Sequence, residues 1–211
     1  MFNTVLFDLD GTLADTALDL TDALNYVLKS ENKPPLSYLE VRPHAAYGSA
    51  DLINLGFGNA ATDGLKQKLL AYYQDNLAVK TRLFPQISQV LTALKQRDIN
   101  FGVVTNKPKR FTEPLLKALA VETPCIISGD SLNNSKPHPE PLLTACEIFN
   151  VKPTQALFVG DSSIDIRAAN AAKMPIIFAQ YGYLPEDFKI DDWQVYATIN
   201  NPLEILEYLH D

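Results

Sequence analysis

The chain has 211 residues, of which 46% are hydrophobic, and 25 acidic against 18 basic residues leave a formal charge of −7. That length and apolar content suffice for one large domain, or for a core that carries a smaller insertion. The negative charge opposes non-specific attraction to nucleic acid or an anionic membrane, so an anionic small molecule would need specific groups to hold it; no apolar run approaches the roughly 20 residues of a membrane span.

In chain order, a short apolar run at Val5–Phe7 predicts a strand that ends in Asp8, Asp10, Gly11 and Thr12. It begins only a few residues from Met1, so no export leader is expected. Cys125 and Cys146 have neither metal nor disulfide spacing, so a reducing, cytoplasmic setting is expected. Ala17, Leu20, Ala23, Leu24, Val27 and Leu28 recur at helical spacing before Pro34 and Pro35. Ser37 and Glu40 form a capping box for a short helix that Pro43 is expected to close, and a loop with Tyr47, Gly48 and Ser49 follows. Leu52, Ile53 and Leu55 continue the apolar pattern, and a longer helix carries Leu65, Leu69, Tyr72, Tyr73 and Leu77.

The rhythm changes at Leu83. Helices are predicted around Ile87–Leu94, Phe111–Leu119, Leu142–Phe149 and Ile164–Ala172. They alternate with apolar strands at Phe101–Val104, Cys125–Ile127, Ala156–Val159, Pro175–Phe178 and Val195–Ile199. A last helix through Leu203, Leu206 and Leu209 is capped by Asn201 and Pro202. This alternation predicts an α/β fold, a Rossmann-like parallel sheet covered on both faces, interrupted by a helical insertion. The expected division is a core of residues 1–15 and 81–211 and a helical cap of residues 16–80, hinged where the chain crosses after Asp15 and near Lys80–Phe84.

Open parallel sheets bind ligands beyond the carboxyl ends of their strands. Four strands deliver polar residues there: Asp8 and Asp10; Thr105 and Asn106; Lys136; and Gly160, Asp161 and Asp165. Each has a plainer reading: an Asp-Gly turn, a helix N-cap at Thr105, an exposed loop lysine, a capping box formed by Ser162 and Asp165. Taken together they suit Mg²⁺ and a phosphate ester. A carboxylate approaching a phosphate meets repulsion of about 4 kcal/mol per charge pair at about 4 Å and an effective dielectric near 20. A metal and a lysine cancel it, which lets Asp8 attack and form an aspartyl phosphate while Asp10 carries the proton. Thr105, the Asn106 N–H and Lys136 would then hold the equatorial oxygens.

These residues resemble the haloacid dehalogenase-like (HAD) hydrolase superfamily, whose four motifs are matched in order by Asp8–Thr12, Thr105, Lys136 and Gly160–Asp165. The resemblance covers the whole chain. It implies Asp8 as nucleophile, Asp10 as acid/base, and Mg²⁺ held by Asp8, the Asp10 main-chain carbonyl and Asp161, with Asp165 supporting the metal directly or through water. It also implies that Asp10 marks a phosphatase or phosphomutase. Within the superfamily the chain resembles the phosphoglycolate phosphatase group. The stretches VVTNKPKRFTEPLL, NSKPHPEPLL and QYGYLPED are also similar to those of bacterial N-acetylmuramic acid 6-phosphate phosphatases.

The expected activity is hydrolysis of a small phosphorylated metabolite by a monomer or homodimer, with no nucleic-acid or membrane partner. A sugar phosphomutase and a non-catalytic phosphate-binding module are the alternatives. Arg42, His44, Tyr47 and Ser49 flank the glycine-containing loop of the cap and are candidates to meet the leaving group; Arg42 and His44 also read as solvated surface residues. Of Lys107, Lys109 and Arg110, two are expected to face solvent, and Tyr181 and Tyr183 either line the mouth or pack on the hinge.

Overall fold

In a computed structural model of the chain, which describes residues 2–185, 188–190 and 193–209, the opening apolar run is strand β1 (Thr4–Phe7), buried at all four positions. One tight turn follows, in which the amides of Thr12, Leu13 and Ala14 all donate to the Leu9 carbonyl. Gly11 takes φ of +86° there, a conformation that a Cβ would strain. A two-residue strand, β2 (Ala14–Asp15), leads into helix α1 (Ala17–Ser30), whose buried face includes Leu20, Leu24 and Val27, as their spacing predicts.

Three more helices follow: α2 (Tyr38–Ala45), α3 (Ser49–Phe57) and α4 (Asp63–Asp75), with a 3-10 turn at Gly58–Ala60. The Ser37–Glu40 capping box opens α2 as expected, but Pro43 lies inside the helix. It removes only the donor that would reach the Leu39 carbonyl, and the helix ends two residues later, so it is a poor stop signal at this position. Strand β3 (Arg82–Leu83) then returns antiparallel to β2, with Ala14 opposite Leu83 and Asp15 opposite Arg82. The expected crossings are thus a small β-ribbon. Asp19 of α1 secures it by accepting from the Lys80 N–H (2.8 Å), the Thr81 N–H (3.0 Å) and the Thr81 hydroxyl (2.7 Å).

The rest alternates: α5 (Ile87–Gln96), β4 (Asn100–Val104), α6 (Lys109–Ala118), β5 (Ile126–Ile127), α7 (Glu140–Ile148), β6 (Ala156–Gly160), α8 (Ser163–Ala171), β7 (Ile176–Ala179) and β8 (Ala197–Ile199). These strands and β1 form one six-stranded sheet in the order β5-β4-β1-β6-β7-β8, and every pairing is parallel. Side chains alternate across it. Val5, Phe7, Leu157 and Val159 enter one apolar layer, while Leu6, Ala156 and Phe158 enter the other. The sheet is therefore covered on both faces, and β1 lies between β4 and β6. The last predicted helix is a 3-10 helix, Pro202–Tyr208. Leu203, Leu206 and Leu209 recur every three residues, which matches the 3-10 period better than 3.6. Among the described residues, no helix is long and apolar enough to cross a membrane.

Candidate active site

Asp8 and Asp10 leave the carboxyl end of β1 together, and each carboxylate meets its own lysine. The Lys136 ammonium lies 2.9 Å from Asp8 Oδ1 and 2.7 Å from Asp165 Oδ1. Lys107 lies 2.9 Å from Asp10 Oδ1, and the Thr16 hydroxyl donates to the same oxygen. Burial opposes both ammonium charges, but Asp165 and Asp8 outweigh it at Lys136, and Asp10 with the Tyr73 hydroxyl at Lys107, so both lysines are held above their ordinary values. Lys136 is 3% exposed, which excludes the solvated-loop reading. Thr105, at the end of β4, accepts from the Lys107 N–H at 3.2 Å, and α6 begins only at Lys109, so Thr105 is not its N-cap. The Asn106 side chain donates to the Lys136 carbonyl at 2.7 Å and ties those two loops together.

The Ser162–Asp165 capping box is present. Asp165 uses Oδ2 for it, accepting from the Ser162 N–H and hydroxyl, and Oδ1 for Lys136, so the plain reading and the functional one hold at once. Asp161 accepts from the Thr12 hydroxyl at 2.8 Å and from the Tyr183 N–H at 2.7 Å. Its carboxylate is closely fitted: a Cβ on Gly11 would stand 2.1 Å from Asp161 Oδ2, and one on Gly182 2.2 Å from Asp161 Cβ.

One oxygen from each of Asp8, Asp161 and Asp165 lies within 4.8 Å of the others, a set that can hold a metal ion. Three further observations fit a divalent cation. Four carboxylates (Asp8, Asp10, Asp161, Asp165) face two ammonium groups (Lys107, Lys136), which leaves two negative charges. Asp8 Oδ1 is buried, and although it is ion-paired with Lys136 it has no hydrogen-bond partner. Burial, with the Asp165 and Asp10 charges and against the pull of Lys136, pushes Asp8 up to about 7. Burial and the charges of Asp8 and Asp165 likewise hold Asp161 well above the carboxylate range.

A cavity of about 340 Å³ opens over this cluster. The core supplies Asp8, Asp10, Thr105, Asn106 and Lys107; the inserted helices supply Leu20, Tyr47, Gly48, Ser49, Leu70 and Tyr73. A larger concavity of about 520 Å³ lies by the start of β7, near Lys173 and Tyr196, and none of its described lining residues is a carboxylate.

Of the other predicted leaving-group residues, Ser49 and Tyr47 line the smaller cavity, whereas Arg42 and His44 do not. Arg42 donates to the Tyr181 carbonyl at 2.8 Å and lies over the Tyr183 ring, and His44 pairs with Asp51 at 2.6 Å. Tyr181 and Tyr183 pack on the crossings beside Phe84. The Tyr183 hydroxyl accepts from the Thr16 and Ala17 amides (2.6 and 2.9 Å) and donates to Asp15 at 2.8 Å, so it caps α1 from the far end of the chain. Lys109 and Arg110 are exposed, while Lys107 is buried. Sequence reading missed Thr12 and Thr16 as partners of the carboxylates, and took Tyr73 only as one apolar position of a helix. The single available signal was closeness in sequence: Thr12 lies in the turn after the aspartates and Thr16 just beyond β2, at the N-cap of α1.

A parallel sheet with carboxylates at the carboxyl ends of β1 and β6, and helices inserted just after β1, defines a Rossmann-like α/β fold of the HAD type. A family model described as haloacid dehalogenase-like hydrolase matches residues 5–179, and the chain belongs to that family. It is 36% identical over 208 residues to a phosphoglycolate phosphatase of Xanthomonas campestris, spanning 96% of this chain and 94% of the relative. It is 33% identical over 211 residues to an N-acetylmuramic acid 6-phosphate phosphatase of Pseudomonas aeruginosa, spanning 97% and 93%. A crystal structure of a predicted phosphoglycolate phosphatase from Haemophilus somnus superposes with a TM-score of 0.89 at 32% identity, covering 99% of this chain and 98% of the other. The chain is an enzyme of the phosphatase type within its family.

Proposed function

We propose that this phosphatase is a Mg²⁺-dependent phosphomonoesterase that works through an aspartyl phosphate on Asp8. The observation that carries this reading is Asp8 itself: a buried carboxylate, ion-paired with Lys136 through Oδ1, that lines the one of the two described cavities meeting the acidic cluster. Asp8 attacks phosphorus in line with the departing alcohol oxygen, and the ester P–O bond breaks as the new P–O bond forms. Asp10 gives a proton to that oxygen and later takes one from the water that cleaves the aspartyl phosphate. Lys136, the Thr105 hydroxyl and the Asn106 N–H hold the equatorial oxygens. Mg²⁺ held by Asp8, the Asp10 main-chain carbonyl, Asp161 and Asp165 would supply the positive charge that offsets repulsion between Asp8 and the phosphate.

On this reading residues 1–15 and 81–211 form the core, and residues 16–80 a cap that excludes water and meets the alcohol part of the substrate through Ser49 and Tyr47. The names of the curated relatives support 2-phosphoglycolate or N-acetylmuramic acid 6-phosphate as that substrate. Two buried free cysteines fit a cytoplasmic, reducing setting.

Replacing Asp8 with Asn is expected to lower kcat on p-nitrophenyl phosphate with Mg²⁺ by at least about 10³-fold, and retention of wild-type turnover would overturn the mechanism. Comparing kcat/KM on the two named esters, with free phosphate rather than an isomeric ester as product, decides the substrate branch and rejects a mutase.

A further inference from the structure

Among the described residues, three buried side-chain atoms lack a hydrogen-bond partner: Asp8 Oδ1, Ser128 Oγ and Tyr73 Oη. The first belongs to the catalytic cluster, and Ser128 does not line the cavity. Tyr73 does, from α4. It is 2% exposed, with its ring edge-to-face against Phe111 at 5.4 Å and the Lys107 ammonium 4.8 Å from its ring centroid. Those contacts need only the ring, so phenylalanine would serve the packing equally well. The hydroxyl oxygen faces the Lys107 ammonium, which can only donate, and its own proton has no acceptor, so that donor is what the folded chain leaves unused.

Burial also holds the phenol above its ordinary value, so at neutral pH it keeps its proton and can donate. The nearby Lys107 ammonium favours an oxygen acceptor that carries negative charge, and the apolar Leu20, Leu70 and Phe111 in the same cavity lining limit competition from water. Lys107 is in turn bonded to Asp10, which fixes Tyr73 relative to the point where the ester bond breaks.

We infer that Tyr73 is a specificity-determining residue, its hydroxyl donating a hydrogen bond to an acidic oxygen acceptor, such as a carboxylate, on the alcohol part of the substrate. This rests on the phosphatase reading above. It places recognition of the alcohol on a residue of the inserted helices, and it leaves the phosphate to the core.

The test is Tyr73→Phe, assayed on 2-phosphoglycolate, N-acetylmuramic acid 6-phosphate and ethyl phosphate, which lacks a second oxygen acceptor. For whichever acidic ester the wild type prefers, the ratio of its kcat/KM to that of ethyl phosphate should fall by about 10- to 100-fold, the effect of one lost hydrogen bond to a charged acceptor. Thermal stability should stay within about 2–4 °C of wild type, because the ring packing is kept and the loss of the Lys107 contact is offset by removal of an unused buried donor. An equal loss on all three esters, or a ratio within about twofold of wild type, overturns the assignment.

Calorimetric titration of both proteins with the same ester and with inorganic phosphate gives a readout that needs no turnover. The Kd of the ester relative to phosphate should rise by the same factor. If that shift occurs but no ester is hydrolysed, the phosphatase reading falls and the role of Tyr73 stands. If hydrolysis is normal and the shift is absent, or no acidic ester binds more tightly than phosphate, the role of Tyr73 falls alone.

Discussion

Asp8 is buried, and beside Lys136 it also faces the charges of Asp165 and Asp10; burial above all gives it a thermodynamic signature. With its carboxyl raised from 3.8 to about 7, the metal-free folded protein holds the Asp8 proton more tightly than the unfolded chain does. The resulting stabilisation is complete below the unfolded value of 3.8 and is lost as pH rises through about 7. A divalent cation must displace that proton, so metal binding and deprotonation are linked. The affinity of the metal-free protein for Mg²⁺ should therefore rise at least about tenfold per pH unit between pH 5 and 7 and flatten above. Asp161, also raised, steepens the slope. Titration calorimetry in buffers of different ionisation enthalpy would count the released protons, and an affinity flat across that interval would contradict the charge balance described for the site.

At the scale of elements, the two-residue strands β2 and β3 have little pairing of their own and depend on Asp19, 3% exposed, which binds two amides and a hydroxyl of the returning chain. Asp19→Ala leaves those donors unpaired and should destabilise the protein by about 2–4 kcal/mol. Asp19→Asn, which retains an acceptor, should recover part of that loss. Urea midpoints at constant m value would show both effects.

This ribbon was also the least legible part of the fold. Strands such as β1, β4 and β6 announce themselves as apolar runs because both of their faces are buried. Two residues carry no period, and only the shift in composition near Leu83 marked the place. Pro43 misled because the same residue type ends a helix or sits harmlessly in its last turns. The placement of the candidate site was readable where a residue projects directly from a strand end, as with Asp8, Thr105 and Asp161. It was not readable where a side chain acts across the fold: Lys107 on Asp10 spans 97 positions and Thr12 on Asp161 spans 149, and no local pattern encodes such distances.

For the whole molecule, one apolar layer runs without a break from β1 through the inserted helices, including Val5, Leu24, Leu52 and Tyr73, so the insertion is packed on the core as well as joined to it. A further link runs through the loop after β7: Tyr183 binds the carboxylate of Asp161 with its amide and the start of α1 with its hydroxyl, while Arg42 of α2 binds Tyr181. The carboxylates and the inserted helices are thereby mechanically coupled through three consecutive residues, Tyr181–Tyr183.

The β2–β3 pairing has one more consequence. Because Asp15 stands opposite Arg82, the core meets the insertion as two chain ends one strand spacing apart, about 5 Å. A homologous helical segment with ends that close, and with the same apolar face toward the core, can replace it without disturbing the sheet. Exchanging residues 16–80 for the matching stretch of the Pseudomonas aeruginosa relative should thus give a folded enzyme whose ratio of kcat/KM on N-acetylmuramic acid 6-phosphate and 2-phosphoglycolate follows the donor; a ratio that stays with the core would refute this. Selectivity would then be portable as one continuous piece of text, whereas the residues that handle phosphate, dispersed from Asp8 to Asp165, can be inherited only with the whole sheet.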